Sequence, residues 1–424
     1  MNGVFQNRWW VVFASASGLL VGAGAINVFA FGVFLKPITA DLGLGRGVFA
    51  SAIGMGSLLN AIACPILGWM IDRWGVRRVM IPGILLCTVA TAAYGLMQPS
   101  LPLIYLMFAV AGFVFGCQTP IAYATVTAQW FDNKRGLALG IAMAGVGLGV
   151  ALIPQIAASL IGQFGWRLAF VGLAVCVFGF AFVPVSLFIR EPPGFVKSRD
   201  RDAAARDAVA GIPGREAFRG WRFYALTIAF FLAIVAINGT VSHVVALLTD
   251  RGYPLQEATA ALSLSGLAII GGRILSGWAL DRFWGPFVAV AFFLIPMAGI
   301  GLLDSGGAGV VPLLGATLCG LGIGAEVDLM AFFVSRYFGL RDYAKIYGAM
   351  FAVFSFGVGV GPTISGFVFD RFHSYGPAFL LYEVLLAVTC ALFLRLGPYP
   401  FPASADHLPG GQVRAHAATS KAVS

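Results

Sequence analysis

Among the charged residues that lie within long apolar stretches of this chain are Arg273, Glu326 and Asp328. At the centre of a bilayer each would cost about 2.5–3.5 kcal/mol on insertion scales, so each requires a partner or a function. An arginine stays protonated and binds a carboxylate through two parallel hydrogen bonds. A buried carboxyl group can hold a proton, because burial disfavours its charged form. The chemistry available to these residues is therefore anion binding and proton binding.

Arg273 lies well inside its apolar stretch. It precedes Asp281, at the polar end of that stretch, by eight residues, which is about 12 Å along a helix axis. Gly271 and Gly272 beside it leave room for another group. Two interpretations of Arg273 stay open, namely contact with an anionic substrate and a structural ion pair with one of the two acids.

Glu326 and Asp328 are predicted to face different neighbours, because residues two apart on a helix point about 200° apart. Glu326 precedes Arg336 by ten residues, so its depth is comparable with that of Arg273. One acid can then pair with Arg273 and the other with the polar loops. For Glu326 the alternatives are a proton carrier and a purely structural ion pair, and the role of Asp328 stays open.

Other polar side chains in the apolar stretches are candidates for substrate contacts, with hydrogen bonds between helices as the alternative. They are Asn27, Gln118, Tyr123, Gln155, Asn238 and Ser355. His243, near the end of one stretch, is interpreted as a packing residue, with a proton relay as its alternative. The four histidines are scattered, the six cysteines show no metal-ligand spacing, and the sequence contains no Walker phosphate loop. We therefore predict no enzyme, no metal site and no cofactor.

The apolar stretches themselves predict an all-α membrane protein. Of the 424 residues, 59% are hydrophobic and 11% are charged, whereas soluble domains carry about 25% charged residues. A bilayer-spanning helix needs roughly 20 mostly apolar residues, and twelve stretches meet that requirement. They are 10–35, 47–72, 78–98, 101–128, 136–161, 166–190, 222–248, 256–281, 285–304, 308–335, 344–370 and 376–396.

The net charge of +9 follows the predicted topology. Of the 27 lysines and arginines, 21 fall on the side that holds both termini and five on the other, with Arg273 inside a span. This asymmetry satisfies the positive-inside rule, so both termini are predicted to be cytoplasmic and the protein to lie in the plasma (inner) membrane. Topology explains the basic charge without a nucleic-acid partner.

A repeated phrase divides the chain into two halves. GWMIDRWG at 68–75 recurs as GWALDRFWG at 277–285, 209 residues later. A second pair of matching landmarks, at Trp130 and Tyr337, lies 207 residues apart. Parallel repeats of this kind build transporters from two similar bundles.

The region between the halves interrupts the apolar pattern. Residues 191–221 begin with Glu-Pro-Pro-Gly and mix basic with acidic side chains, which is typical of a flexible or partly helical cytoplasmic linker. The linker would join six-helix bundles at 1–190 and 222–396. Residues 397–424 would form a disordered cytoplasmic tail.

At these residues the chain resembles the major facilitator superfamily. The pattern G-x-x-x-D-R-x-G-x-R-R at 68–78 is similar to that superfamily's signature between helices two and three, and the copy at 277–285 falls between helices eight and nine. The resemblance covers residues 8–396 and implies twelve helices in two pseudo-symmetric bundles. FGVFL at 31–35 and the start of helix five at 130–140 look like the monocarboxylate porter group and its bacterial relatives of the oxalate–formate antiporter type.

The resemblance assigns the loop motif to a cytoplasmic gate. In the family this cluster is understood to hold the two halves together on the cytoplasmic side when the transporter faces outward. The gate residues would be Gly68, Asp72, Arg73, Gly75, Arg77 and Arg78, with Asp281 and Arg282 from the second copy. The second copy is not followed by arginines, so it would hold the two halves together less tightly. The alternative is that Arg77 and Arg78 are only positive-inside anchors.

The resemblance also implies a substrate. Monocarboxylate and oxalate porters carry an arginine at the place of Arg273, where it is understood to bind the substrate carboxylate. Phe29 stands near the lysine of the proton-coupled porters, Ile269 replaces the acid one turn before their arginine, and Phe354 replaces the second cation of the oxalate porters. A single cavity cation favours a mono-anion, and the relatives' proton-coupling residues cannot be carried over.

The expected function is secondary transport of a small organic mono-anion, such as a monocarboxylate, by a monomer that alternates access to a midplane site. Proton symport is the expected coupling, so the anion, the proton and the lipid bilayer are the predicted partners. Drug efflux and anion exchange are the alternatives. Efflux relatives carry a Gly-Pro signature in helix five, where this chain has Gly145, Gly147 and Gly149 with Pro154 displaced.

Overall fold

The computed structural model describes residues 7–131, 135–190, 211–339 and 341–401, and this part of the chain is almost entirely helical. Eleven of its helices are long and apolar enough to cross a membrane. One of them, Leu137–Phe188, has 52 residues and would be roughly 78 Å long if straight, more than twice a bilayer core of about 30 Å. Its backbone leaves the helical region at Gly165 (φ 76°, ψ 165°). This break divides it into two crossings and confirms the predicted twelve.

We number the transmembrane helices α1 to α12. Several are built from consecutive helical pieces, and a short helix, Gly214–Ala217, precedes α7. In order they are α1 (Trp9–Leu20, Ala25–Phe29 and Ala30–Leu42), α2 (Arg46–Trp74), α3 (Val76–Ala93), α4 (Leu101–Val114, Phe115–Gln118 and Pro120–Trp130), α5 and α6 (Arg135–Val177, divided at Gly165, with α6 continuing through Phe178–Phe182 and Val183–Phe188), α7 (Trp221–Val241 and Val244–Asp250), α8 (Leu255–Leu280), α9 (Gly285–Asp304), α10 (Val311–Phe338), α11 (Tyr343–Phe372) and α12 (Gly376–Leu394).

Two six-helix bundles, α1–α6 and α7–α12, each surround a large buried apolar cluster of their own. The bundles meet where α2 packs on α11 and where α5 packs on α8. Glycines allow the backbones to touch at both contacts. A Cβ atom on Gly266 of α8 would lie 2.4 Å from the Ala151 nitrogen of α5, and one on Gly359 of α11 would lie 2.6 Å from the Cα of Gly54 on α2.

The bundle has two polar ends. We name the end that carries Trp9 and Leu394 the terminal face and the other end the opposite face. Near the terminal face, the backbone N–H of Gly214 donates to Asp342 at 2.8 Å. This hydrogen bond, together with the nearby Lys345 ammonium, holds the pKa of Asp342 below its usual value. The end of the predicted linker is therefore attached to the start of α11.

Residues 397–401, which the sequence analysis assigned to a disordered tail, lie against the C-terminal bundle. The Tyr337 hydroxyl donates to the Gly397 carbonyl at 2.6 Å, and the Gly285 N–H donates to the Tyr399 hydroxyl at 2.7 Å. The rest of the predicted tail and linker, 402–424 and 191–210, lies outside the described residues.

Gly266→Val tests the contact between α5 and α8. The added side chain overlaps the α5 backbone, so we expect destabilisation by about 1–3 kcal/mol and a melting temperature in detergent lower by at least about 2 °C. Gly277→Val is the matched control on α8, since no atom lies within 4 Å of its added Cβ. Equal melting temperatures for the two variants would contradict a tight contact.

Candidate functional site

A cavity of about 190 Å³ lies between the two bundles. Its size is that of about six water molecules in the liquid, and most of its wall is apolar. Among the described residues that line it, Arg273 is the only charged one. The polar lining residues are Asn27, Ser57, Asn60, Tyr94, Gln118, Thr119, Asn238, Arg273 and Ser355.

Arg273 reaches the cavity from α8 and is paired with Asp328 of α10. Its Nη1 lies 3.2 Å from the Asp328 Oδ1, and 14% of its side chain is exposed. The two helices approach closely because Gly272 has no Cβ, which would lie 2.3 Å from the Leu321 carbonyl oxygen. The Arg273 Nε–H is buried and has no acceptor among the described residues. One donor of this guanidinium therefore remains available.

Glu326 does not form the ion pair with Arg273 that the sequence left open. It is fully buried and does not line the cavity, and neither carboxyl oxygen has a hydrogen-bond partner in the described part of the chain. Leu329 and Phe333 follow it on the same helix face, and the Phe333 ring packs against Phe230 and other aromatic rings. Glu326 thus lies in the core of the C-terminal bundle.

Gln118 presents the second unsatisfied donor. Its Oε1 accepts a hydrogen bond from the Tyr123 hydroxyl at 2.7 Å, while its buried Nε2 has no partner among the described residues. Gln118 ends a 3₁₀ segment of α4, and extended Thr119 follows it because proline disfavours helical backbone in the residue before it. This interruption at Pro120 places the amide at the cavity wall.

The other predicted substrate residues differ in what they contact. Asn27 accepts from the Tyr94 hydroxyl at 3.3 Å, and the Asn238 amide donates to the Val358 carbonyl at 2.6 Å. Both line the cavity, as does Ser355. Tyr123 does not line it and instead orients Gln118. Gln155 forms hydrogen bonds between α5 and α8, with Ser263 and Thr259.

Four polar lining residues were missed by the sequence analysis: Ser57, Asn60, Tyr94 and Thr119. Asn60 could have been selected by the criterion that selected Asn27, since it also lies within an apolar stretch. In the structure its amide donates to the Gly112 carbonyl at 3.1 Å. Ser57 and Thr119 carry no comparable signal, because hydroxyl residues are common in membrane helices.

An ionic junction joins the two bundles at the opposite face, and the sequence analysis did not predict it. Arg46, at the start of α2, donates to both carboxylate oxygens of Asp250 on α7, at 2.5 and 3.0 Å. Lys36 of α1 lies 2.9 Å from the same carboxylate. The Arg46 and Gly47 backbone N–H groups donate to Asp370 of α11 at 2.9 and 2.7 Å. The bundles are closed against each other here.

The repeated motif lies at the terminal face. Gly75 has a φ of 90° and forms the turn between α2 and α3, where a β-carbon would be strained. Arg77 donates to the Ser186 carbonyl at 2.8 Å, within its own bundle. Gly68 lies in α2, and the side chain of Asp72 lies outside what the structure describes.

The remaining charged residues of the motif are exposed: Arg73, Arg78, Asp281 and Arg282. The Arg73 and Arg282 guanidiniums lie 5.5 and 4.6 Å from the ring centroids of Trp69 and Trp278. Each tryptophan belongs to the same helix end as its arginine. The gate that the motif was expected to form remains a prediction.

Comparisons with known proteins agree with this architecture. A family model described as Major Facilitator Superfamily matches residues 17–351. Human monocarboxylate transporter 11 is 25% identical over 79% of this chain and 71% of its own length. The oxalate:formate antiporter of Oxalobacter formigenes is 24% identical over 66% of this chain and 65% of its own.

The fold is also found among solved structures. A bacterial homologue of the human lysosomal transporter Spinster, in an inward-facing and unoccupied conformation, superposes with a TM-score of 0.62 at 16% identity. The match covers 93% of this chain and 95% of that one. The relatives confirm the resemblance to monocarboxylate porters and oxalate–formate antiporters at low identity. This chain belongs to the Major Facilitator Superfamily and is a membrane transporter, not an enzyme.

Proposed function

We propose that this transporter moves a small organic mono-anion, a monocarboxylate, together with a proton. The supporting observation is the cavity between the bundles, where Arg273 and Gln118 each hold a buried N–H group without an acceptor. A buried donor without an acceptor is unfavourable, and a carboxylate would satisfy it. One cation in the described lining matches one negative charge on the substrate.

The cavity dimensions favour a small acid over a bulky drug. Its volume of about 190 Å³ lies below the roughly 300–1,000 Å³ of drug-sized ligand pockets. Relatives named for monocarboxylate and for oxalate and formate support a carboxylate substrate. The name of the second relative also keeps anion exchange as the alternative.

The ion pair with Asp328 suggests how a proton is coupled to the anion. The pair is neutral, so an added carboxylate would leave a net negative charge in an apolar site, which is unfavourable. Protonation of Asp328 removes this net negative charge and releases the Arg273 guanidinium for the substrate. Proton and anion would thereby bind together. Glu326, remote from the cavity, is not needed for this step.

The charge asymmetry supports the proposed orientation. The excess of lysine and arginine on the terminal face supports a cytoplasmic location for that face in the plasma (inner) membrane. The opposite face would be external, and the junction there would close the cavity from outside. Rocking of the two bundles about the cavity would then expose it to each side in turn, within one monomer.

Arg273→Gln should reduce carboxylate uptake by at least about tenfold. The variant loses a charge-assisted hydrogen bond of about 1.5–3 kcal/mol. The measurement is uptake of a panel of labelled carboxylates into proteoliposomes with an inward pH gradient. Arg395→Gln, an exposed arginine at the end of α12, is the matched control. Undiminished uptake by Arg273→Gln would contradict the proposed anion site, and export of cationic drugs would favour efflux.

Asp328→Asn should uncouple transport from the proton. The amide keeps a hydrogen bond to Arg273 but cannot titrate, so an imposed pH gradient should no longer stimulate uptake, while exchange of internal for external carboxylate should continue. The matched control is Asp304→Asn at the exposed end of α9. Uptake of the variant that still follows the pH gradient would show that another group carries the proton. Wild-type uptake that requires internal carboxylate and ignores the gradient would indicate exchange.

A further inference from the structure

Arg46 is the centre of the junction that closes the opposite face. It binds Asp250 through two hydrogen bonds, its guanidinium carbon lies 3.7 Å from the centroid of the Phe369 ring, and its Nη1 donates to the Tyr375 hydroxyl at 2.8 Å. Arg46 belongs to the N-terminal bundle and these partners belong to the C-terminal bundle. Opening of this face therefore requires all of these contacts to separate.

His243 is buried behind Tyr375 and extends the junction into α7. It is 3% exposed and lies at the break between the two pieces of α7. Its Nε2 lies 3.0 Å from the Pro362 carbonyl oxygen, and its Nδ1 lies 3.2 Å from the Tyr375 hydroxyl. His243 thus links α11 and the start of α12 to the residues that hold Arg46.

A neutral imidazole gives every donor in this chain of hydrogen bonds an acceptor. A carbonyl oxygen only accepts, so Nε2 must carry the ring hydrogen. The Tyr375 hydroxyl accepts from Arg46 and has one hydrogen, which it donates to Nδ1. A proton on Nδ1 would replace that acceptor with a donor. The hydroxyl oxygen would then accept from both Arg46 and His243, and the hydroxyl hydrogen would lose the Nδ1 acceptor that it has in the closed state.

Among the described residues, the groups that contact the His243 ring nitrogens are the Tyr375 hydroxyl and the Pro362 carbonyl, and neither is a carboxylate. The titratable and charged groups of the surrounding elements include Lys36 on α1, Arg46 on α2, Asp250 at the end of α7, Asp370 on α11, and Tyr375 before α12. Asp250 is engaged by Arg46 and Lys36, and Asp370 by two backbone N–H groups. A second buried cation close to Arg46 would add repulsion across the junction.

We propose that protonation of His243 opens the opposite face, so that the junction acts as a proton-triggered gate. The proton takes away the acceptor of the Tyr375 hydroxyl and places a second buried cation close to Arg46, which weakens the hold on Arg46 and lets the two bundles separate. The closed state holds the imidazole neutral and the open state accepts the proton, so lower pH favours opening. This gate goes beyond the proposed symport of a carboxylate and operates without any substrate.

The test measures the separation of the bundles in substrate-free protein. Spin labels are placed at Ser100→Cys and Ala308→Cys, exposed positions of the opposite face on the two bundles. The half-buried native cysteines, Cys64 and Cys176, are replaced by Ala. Distances between the labels are recorded by pulsed electron resonance in nanodiscs from about pH 8 to about pH 5, the range in which histidine titrates.

As the pH falls, we expect the long-distance population to grow relative to the short one, by at most about tenfold per pH unit for a single proton. His243→Gln should keep the short distance throughout this range, because Gln supplies one donor and one acceptor but cannot gain a proton. The matched control is His373→Asn, an exposed histidine on the same face, which should respond as the wild type does.

A wild-type distance that ignores pH, or a His243→Gln variant with the wild-type response, would overturn the proposal. Tyr375→Phe is a second, independent variant. It lacks the hydroxyl that joins Arg46 to His243, so it should show the long distance already at about pH 8 and little further change at lower pH. A wild-type response in Tyr375→Phe would equally overturn the proposal, whether or not His243→Gln folds. Because no substrate is present, failure of the carboxylate assignment leaves this test intact.

Discussion

The permanent charge of Arg273 is the constraint on which the central site depends. Arginine cannot lose its proton, so a carboxylate must lie close to it in an apolar bundle. Asp328 meets that need at 3.2 Å because α8 and α10 touch through glycines, with a Cβ on Gly272 or Gly324 falling within 2.3 Å of the facing helix backbone. The pair is neutral but incomplete, since the Arg273 Nε–H lacks an acceptor. The same ion pair thus makes the buried charge tolerable and leaves one donor for the anion that we propose as substrate.

Interrupted helices bring several polar residues to the cavity and to the junction. Asn27 lies in the π-helical piece of α1, Gln118 ends the 3₁₀ piece of α4, and His243 lies at the break in α7. Irregular backbone at membrane depth is tolerated only where protein buries it or a cavity adjoins it. These interruptions therefore occur on the inner sides of the two bundles, where the cavity and the junction are found.

The two ends of the bundle use different interactions. At the opposite face, the helix N-terminus at Arg46 and Gly47 binds the Asp370 carboxylate, as expected for the positive end of a helix dipole, and the Arg46 side chain adds an ion pair between the bundles. At the terminal face, Arg77 bonds within its own bundle. Between them, α5 and α8 touch through glycines. In the proposed alternating access the bundles would tilt about this contact, so that one end opens while the other closes.

The amino-acid sequence by itself determined the twelve helices, the duplication and the depth of Arg273, because apolar length and helical rise are properties of continuous stretches of chain. It also identified the amides of Asn27, Gln118 and Asn238 as candidates for substrate contacts, because they lie in apolar stretches. Only the tertiary structure decided that Asp328 pairs with Arg273 while Glu326 lies in the core, since that choice depends on how α10 is rotated against its neighbours. The junction of Arg46 with Asp250 was likewise decided only there. The two residues are 204 positions apart, and no local pattern records which helix ends meet when two bundles close.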